Sequence, residues 1–181
     1  MKDRDRPLDL DRLERMIERL VTQRACLDFA ASSIANVSGV VLEVGLGKGR
    51  TFDHLRRLFS KREFFAFDRE VHAPADAVPD EQHLFLGDFR QTLEAAVYRL
   101  GCSAALIHAD IGSEDKARDR ALALAITPFI VQLAQPGGYV LSDRALVAKE
   151  LVPQSLPQTV GNFPYFIYRV DNAPTEGRRA E

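Results

Sequence analysis

The amino-acid sequence predicts an α/β fold of the doubly wound kind: a mostly parallel sheet with helices on both faces and a C-terminal antiparallel hairpin. Three observations lead to this prediction. Short apolar runs alternate with longer segments of helical periodicity, a glycine-rich loop follows the first run, and acidic residues stand at the ends of the later runs. Alternating strands and helices are typical of a parallel sheet.

The first element is predicted to be an amphipathic helix over about residues 8–35. Apolar residues recur there at spacings of mostly three or four positions, which places them in one stripe along the helix. The stripe contains Leu10, Leu13, Ile17, Leu20, Leu27 and Ile34. We expect this stripe to be buried and the helix to end near residues 36–39.

Five apolar runs then predict the parallel strands. They span residues 40–44, 64–67, 84–86, 104–107 and 139–141. Each of the last four is followed by an acid at or just past its end, and these acids are Asp68, Asp88, Asp110 and Asp143. Because the carboxyl ends of parallel strands line the ligand crevice of such sheets, we expect the four acids to face a common cleft.

Helices are predicted after Gly49, over residues 89–100 and over residues 114–134. Pro128 is expected to kink the last of these helices or to begin a new segment, because proline has no backbone N–H to donate. The Pro-Gly-Gly turn at residues 136–138 is expected to stop this helix before the fifth strand.

Residues 150–170 are predicted to form the antiparallel hairpin, with residues 165–168 as its stronger strand. Phe163, Tyr165 and Phe166 either belong to the core or pair across a two-fold axis, which leaves a homo-oligomer open. We expect one domain over residues 1–171. The polar tail over residues 172–181 is predicted to be disordered.

Composition limits the function classes. The chain has 181 residues and a formal net charge of −2, which offers no broad positive field for nucleic acid. No apolar run approaches the roughly 20 residues that span a bilayer, so we expect a cytoplasmic protein without a membrane partner. Cys26 and Cys102 lack the spacing of zinc ligands, and we expect two buried free thiols.

The glycine-rich loop predicts a ligand site. Gly45, Gly47 and Gly49 stand between the first strand and a helix, where the backbone can approach a ligand closely. A plain strand-to-helix turn is the alternative. The Gly-x-Gly-x-Gly spacing differs from that of dinucleotide-binding loops, but Asp68, about 20 residues after the loop, keeps an NAD-dependent oxidoreductase open.

Residues 41–49, Val-Leu-Glu-Val-Gly-Leu-Gly-Lys-Gly, resemble the first motif of the class I, Rossmann-like S-adenosylmethionine-dependent methyltransferases. Residues 65–68 and 86–89 are similar to the acidic ends of the family's second and third strands, and residues 136–138 to the turn before its fifth strand. The first helix and the last hairpin match loosely. The resemblance implies a small, single-domain, bacterial-type methyltransferase with S-adenosyl-L-methionine (SAM) as cofactor.

The same resemblance implies the cofactor contacts. Asp68 would accept hydrogen bonds from the ribose hydroxyls and Asp88 from the adenine amino group, with Phe89 and Arg69 on the two sides of the ring. Glu43 would organise the loop and sense the methionine ammonium group. The remaining implied contacts are Gly45, Leu46, Gly47, Gly49 and Asp110. Asp68 and Asp88 have an alternative role, because aspartate often caps the N-terminus of a helix.

Asp110 and His108 are the candidates for catalysis, because the family places residues at the end of the fourth strand beside the methyl group. Asp110 is expected to contact the substrate or to close the cofactor pocket. His108 is expected to act as a base or to lie in the core on the opposite face of the sheet. The N-terminal helix, with Gln23, Arg24 and Asp28 on one side, resembles the lid of small family members; contact with a partner is its other use.

Residues 109–110 and 137–144 resemble the catechol-type O-methyltransferases, in which acids after the fourth and fifth strands hold a magnesium ion. Arg144 stands where an asparagine ligand belongs, and Ile111 replaces a lysine. A guanidinium cannot bind a cation, so we expect no metal site. Arg144 is expected to neutralise Asp143 or to bind an acidic group of the acceptor.

The sequence therefore favours a SAM-dependent methyltransferase that acts on a small-molecule acceptor. The tetrapeptide Asn/Asp-Pro-Pro-Tyr/Phe, typical of nucleobase amine methylation, is missing after the fourth strand, where residues 108–111 are His-Ala-Asp-Ile. Methylation of nucleic-acid bases is therefore disfavoured and a nucleic-acid partner is not expected, while other RNA or protein targets stay open. A cofactor-binding module without activity is the alternative, because no acid–base pair stands out between Asp110 and Ser155.

Overall fold

The computed structural model describes residues 10–113, 115–161 and 163–171, along which strands alternate with helices. The strands are β1 (Val40–Val44), β2 (Phe64–Asp68), β3 (Leu84–Leu86), β4 (Ala104–Ala109), β5 (Ala134–Ser142), β6 (Leu151–Gln154) and β7 (Phe166–Val170). The α-helices are α1 (Arg12–Ser33), α2 (Arg50–Leu58), α3 (Phe89–Leu100) and α4 (Lys116–Leu133). The tail over residues 172–181 lies outside the described residues.

The seven strands form one sheet in the order β3-β2-β1-β4-β5-β7-β6. β1 to β5 are all parallel to one another, whereas β7 pairs antiparallel with both β5 and β6. α1 packs with α2 on one face, and α3 packs with α4 on the other. The predicted fold class is confirmed, including the C-terminal hairpin.

β1 lies where the chain changes direction across the sheet. The chain leaves β1 toward β2 and β3 on one side and then crosses to β4 and β5 on the other. In open parallel sheets, ligands bind at the carboxyl ends of the strands beside such a switch point. The topology therefore predicts a ligand site at the loops that follow β1 and β4.

α1 begins where a capping box satisfies its first N–H groups. The Asp11 side chain accepts a hydrogen bond from the Glu14 N–H, and the Glu14 side chain accepts one from the Asp11 N–H. Leu27 is fully buried, but Leu13 and Ile17 are 68% and 52% exposed. The expectation of a fully buried stripe is wrong, because only the second half of α1, from Thr22 onward, packs on the core.

The segment around α4 and β5 also departs from the prediction. α4 contains Pro128 and continues to Leu133, so the proline does not begin a new segment. β5 starts at Ala134, and the Pro-Gly-Gly turn at residues 136–138 lies inside it, as an irregularity in the pairing with β4. Gly137 has a φ of 79°, which glycine adopts without steric cost, so the strand can resume after the turn.

The two cysteines differ in their burial. Both cysteines are free, but only Cys26 is buried, because Cys102 lies in the turn between α3 and β4 and is exposed. The expectation of two buried thiols is therefore wrong for Cys102. Among the residues that the structure describes, no helix is long and apolar enough to cross a membrane.

Candidate functional site

A cleft opens at the carboxyl ends of β1, β2 and β4, where the topology indicates a site. Its volume is about 350 Å³, within the range of small-molecule sites. The loop after β1 lines it, and α1 covers one side. The predicted site residues on its wall are Gly45, Leu46, Gly47, Asp68, Phe89 and Asp110. The predicted residues that lie behind or beside this wall are Glu43, Gly49, Arg69, Asp88 and His108.

The glycine loop, residues 45–49, takes a conformation that requires glycine. Gly45 has a φ of 97°, and a Cβ atom there would lie 2.2 Å from the backbone oxygen of Asp110. Gly49 has a φ of 73° and is the N-cap residue of α2. The loop therefore packs directly on the end of β4, and the first turn of α2 begins at the wall of the cleft.

Asp68 ends β2 with its carboxylate at the glycine loop. It accepts hydrogen bonds from the backbone N–H groups of Gly47 and Arg69, both at 2.7 Å. The next helical segment of the described chain is the short 3₁₀ turn Ala75–Ala77, so Asp68 does not cap a helix directly after β2. A carboxylate has about four acceptor positions, and the two that are left are available to a ligand in the cleft.

Asp88 and Phe89 stand where β3 passes into α3. Asp88 is the N-cap of α3 and accepts a hydrogen bond from the Arg90 N–H at 2.9 Å, which is the capping role left open by the sequence. Phe89 is 6% exposed and lines the cleft. The Arg69 guanidinium lies 5.9 Å from the Phe89 ring centre and 3.8 Å from the Asp88 carboxylate. These three side chains form one group at the β2–β3 end of the cleft.

Asp110 is held by two side chains of α1. Arg19 donates hydrogen bonds to both carboxylate oxygens at 2.7 and 2.6 Å, and the Gln23 amide donates to one of them at 2.9 Å. Burial acts to raise the pKa of Asp110, but the positive charges of His108 and Arg19 outweigh it and keep the pKa below its usual value. Asp110 is therefore an anion at neutral pH that joins α1 to the end of β4.

Glu43 and His108 form a buried pair behind the glycine loop. They are register partners on β1 and β4, and both are fully buried. The His108 Nδ1 atom lies 2.7 Å from one Glu43 carboxylate oxygen, and the Thr51 hydroxyl on α2 donates a hydrogen bond to the other. Burial acts to lower the pKa of His108, but the Glu43 carboxylate outweighs this effect and raises it.

Asp143 and Arg144 follow β5 and belong to a second charged group. The Asp143 carboxylate accepts hydrogen bonds from the N–H groups of Ile111 and Gly112 at 3.1 and 3.0 Å. Arg144 lies 3.0 Å from Asp143 and 2.6 Å from Asp119 of α4. Arg144 therefore neutralises Asp143, one of its two predicted roles. The described residues contain no group of three His, Cys, Asp or Glu side chains placed to hold a metal ion.

Sequence reasoning does not single out Arg19, Thr51 or Asp119. Arg19 lies four residues before Gln23 and therefore on the same face of α1. The predicted place of Gln23 on the lid could therefore have indicated that Arg19 also faces the cleft. Asp119 and Arg144 are 25 residues apart in sequence, and no local pattern marks such a pair. Thr51 is an ordinary helix residue until the fold brings its hydroxyl to Glu43.

The residues of the cleft fit the cofactor that the resemblance implies. The two free acceptor positions of Asp68 match the two hydroxyls of a ribose. Phe89 provides an apolar surface of the kind that an adenine ring packs against. A Cβ atom on Gly47 would meet no other atom within 4 Å, so there is open space above the loop for a ligand.

Comparisons with known proteins agree with this geometry. Residues 10–170 match a protein family described as S-adenosyl-L-methionine methyltransferase. The crystal structure of an S-adenosyl-L-methionine methyl transferase from Silicibacter pomeroyi DSS-3 is similar at 39% identity and a TM-score of 0.84. The similarity covers 90% of this chain and 99% of that one. No curated protein matches the chain.

Two human structures share the fold at low identity. Methyltransferase-like protein 13 in complex with SAH has 12% identity and a TM-score of 0.55, over 88% of this chain and 83% of that one. N-acetylserotonin methyltransferase in complex with SAM has 15% identity and a TM-score of 0.54, over 90% of this chain and 57% of that one. The family match covers most of the chain and supports SAM over NAD as the cofactor. The chain belongs to the S-adenosyl-L-methionine methyltransferase family.

Proposed function

We propose that the protein transfers the methyl group of SAM to a small-molecule acceptor. The observation that carries this proposal is the position of α1 over the cleft. Met16, Arg19, Leu20 and Gln23 of this helix line the cleft, and Arg19 and Gln23 also hold Asp110 at the end of β4. Because α1 covers one side of this cleft, it narrows the approach to a methyl group bound there, which favours a small acceptor over a folded macromolecule.

In this proposal, the β2–β3 end of the cleft binds the adenosine part of the cofactor. Asp68 accepts hydrogen bonds from the ribose hydroxyls, and Asp88 accepts one from the adenine amino group. Phe89 and Arg69 lie on the two sides of the adenine ring. The support is that Asp68 and Phe89 line this end of the cleft and that Asp88 and Arg69 lie beside Phe89. The Arg69 guanidinium lies over the Phe89 ring, so it has to move outward for an adenine ring to enter between them.

The glycine loop binds the methionine part in the same proposal. Gly45, Leu46 and Gly47 line the cleft directly. Gly49 starts α2, and Glu43 supports the loop from the buried side through Thr51. Backbone N–H groups at a helix start favour a negative group, and the methionine part carries a carboxylate.

The reacting end lies between the glycine loop and Asp110. When bound, the cofactor supplies an electrophilic methyl group on a sulfonium. Methyl transfer is an in-line displacement, so the protein must align the acceptor and exclude water. Asp110, held as an anion by Arg19, contacts the acceptor or the sulfonium end, and α1 shields this end from water.

The transfer is expected to need no divalent cation. Asp110 is paired with Arg19, and Asp143 is paired with Arg144. A guanidinium on each carboxylate repels a cation and occupies the oxygens that would bind it.

Methyl transfer itself is the test. Purified protein is incubated with SAM that carries a labelled methyl group and with three acceptor sets: small phenols, amines and carboxylic acids; total RNA; and unmodified protein. We expect label in the small-molecule set alone, at a rate that EDTA does not change. Label in RNA or protein would overturn the small-molecule proposal. Binding of S-adenosyl-L-homocysteine (SAH) without any transfer would indicate a module without activity.

Asp68→Asn connects this activity to the cleft. The variant keeps the size of the side chain but loses its charge and one acceptor oxygen. We expect SAH affinity, measured by calorimetry, to fall by about tenfold or more, as for a lost hydrogen bond to a charged group. Glu94→Gln, on the exposed face of α3, is the matched control and should bind SAH as the wild type does.

A further inference from the structure

His108 has a feature that the proposed function does not use. Its Nε2 atom is buried and has no hydrogen-bond partner within the described residues, and the same holds for the hydroxyls of Thr22 and Tyr165. The His108 and Tyr165 rings are 6.2 Å apart, and Tyr165 packs in the core cluster that contains Cys26 of α1. His108 is fully buried and is not part of the cleft wall. His108 can therefore contact only neighbouring side chains and not a ligand in the cleft.

The side chain that His108 reaches is Glu43. The two residues face each other on β1 and β4 and are 2.7 Å apart at Nδ1 and Oε2. The Oε1 atom of Glu43 accepts the hydrogen bond from Thr51. Glu43 precedes the glycine loop and Thr51 follows it, so one buried carboxylate joins the two ends of the loop.

This carboxylate needs both of its partners to keep one position. A glutamate side chain has several rotamers, and a buried carboxylate oxygen without a hydrogen bond is costly. If His108 did not donate to Oε2, Glu43 would gain by turning away from Thr51 toward another donor. The first turn of α2 would then lose its link to β1.

We propose that His108 is a positioning residue for the glycine loop: by holding Glu43, it fixes the two ends of the loop and so sets the affinity for the cofactor. This inference rests on the proposed contact between the loop and the cofactor. His108 does not touch the acceptor or the methyl group in this role.

The charge of His108 makes the same contact dependent on pH. The His108 pKa is raised above its ordinary value of 6.5, with Glu43 as the main cause that raises it against the effect of burial. The titratable groups that face His108 from the surrounding elements are Glu43, Asp110, Asp143 and Tyr165; Arg19 pairs with Asp110, and Cys26 lies near Tyr165. As the pH rises through this raised pKa, His108 loses its proton, and the attraction that holds Glu43 weakens.

Two variants at this position separate positioning from simple packing. His108→Asn keeps an N–H donor near the place of Nδ1, whereas His108→Leu keeps bulk and removes the donor. We expect His108→Leu to bind SAH about 10- to 100-fold more weakly, the range for a lost hydrogen bond to a charged group, and His108→Asn to recover most of the affinity. Tyr165→Phe, which removes a neighbouring hydroxyl without a partner, is the control and should bind normally.

Hydrogen exchange of the free protein gives a readout that needs no cofactor. Residues 45–51 should exchange faster in His108→Leu than in the wild type or in His108→Asn. As the pH is raised through the His108 pKa, SAH affinity should weaken more in the wild type than in His108→Asn, because the amino group of SAH itself titrates in the same way with both proteins. If His108→Leu does not fold, Thr51→Val tests the other end of the contact and should weaken SAH binding in the same way.

The outcomes distinguish this inference from the proposed function. If the wild type binds neither SAM nor SAH, the proposed function fails. If the wild type binds and His108→Leu, or Thr51→Val in its place, binds equally well, only the positioning role of His108 fails. Equal losses in His108→Asn and His108→Leu would likewise overturn it.

Discussion

Asp110 and Asp143, two carboxylates at the same end of the cleft, have pKa values that are shifted in opposite directions. Burial and the Asp110 anion raise the pKa of Asp143 to about 6, although Arg144 acts to lower it. Arg19 helps to keep the pKa of Asp110 low. Two neighbouring carboxylates cannot both ionise at low cost. The charge on Asp110 is therefore maintained partly at the expense of Asp143.

Asp143→Asn is expected to change the pH dependence of stability. Folded Asp143 binds its proton up to about pH 6 and the unfolded chain only up to about pH 4, so the native state holds more protons between these values. The contribution of Asp143 to the free energy of unfolding is largest below about pH 4 and is lost as the pH rises to about 6. The variant lacks this loss, and its stability relative to the wild type should rise over that interval by on the order of 3 kcal/mol.

Denaturant unfolding at several pH values between about 4 and 7 measures this difference. Both proteins share their other titrating groups, so the difference reports Asp143 together with the effect of its carboxylate on Asp110. A constant difference between the two proteins over the whole interval would contradict the assigned pKa.

At the scale of single elements, α1 has two halves with different tasks. Its second half packs Cys26, Leu27 and Ala30 into the core. Its first half has exposed apolar residues on one side and Arg19 directed to Asp110 on another. The Arg19–Asp110 pair is therefore the main polar contact that keeps the first half of α1 over the cleft.

Arg19→Met is expected to loosen the first half of α1. The side chain keeps its apolar stem but loses the charged hydrogen bonds to Asp110, and we expect a loss of about 1–2 kcal/mol in the free energy of unfolding. Amides in the first half of α1 should exchange faster, and SAH should dissociate faster because the helix covers the cleft less well. Arg15→Met, on the exposed surface one turn earlier, is the control. Equal exchange in both variants would show that Arg19 does not hold the helix.

The β1–loop–α2 unit depends on its glycines to unequal degrees. Gly45 has a φ of 97° and no space for a Cβ atom, whereas Gly47 has a φ of 51° and open space around it. We expect Gly45→Ala to lower the free energy of unfolding by on the order of 3 kcal/mol, because strain and a backbone clash add together. Gly47→Ala should cost only about 1–2 kcal/mol, since it meets backbone strain alone.

Chemical denaturation of the two glycine variants tests this difference, with SAH affinity as a second measurement. Gly45→Ala should also lose SAH binding, because the loop must move away from the Asp110 backbone to make room for the alanine side chain. Similar stabilities for the two variants would mean that the loop relaxes more easily than its packing on β4 indicates.

For the molecule as a whole, the sequence predicts the sheet well because its signals are local. Each apolar run, each glycine of the loop and each acid at a strand end can be recognised within a few residues. A prediction fails where a longer context decides: β5 starts before its Pro-Gly-Gly turn. There tertiary packing overrides a local preference.

In the candidate site, too, residues marked by a local pattern can be predicted, and residues placed by distant contacts cannot. The loop glycines, Asp68 and Phe89 can be predicted because their positions follow from the β1–α2, β2 and β3–α3 junctions. Arg19 cannot, because its partner Asp110 lies 91 residues further along the chain. The burial of His108 beside Tyr165 depends on the segment before β7 and is likewise invisible to a local pattern.

The place of β7 in the sheet also affects how the protein is made on the ribosome. Among the described residues, β7 is the last strand along the chain but lies between β5 and β6, so β6 has no strand to pair with until β7 has emerged. Tyr165, the neighbour of His108, emerges just before β7. A nascent chain therefore carries the glycine loop, Asp68 and Asp110 well before its sheet can be completed. We therefore expect newly made protein to hold its cofactor only after β6 and β7 have joined the sheet.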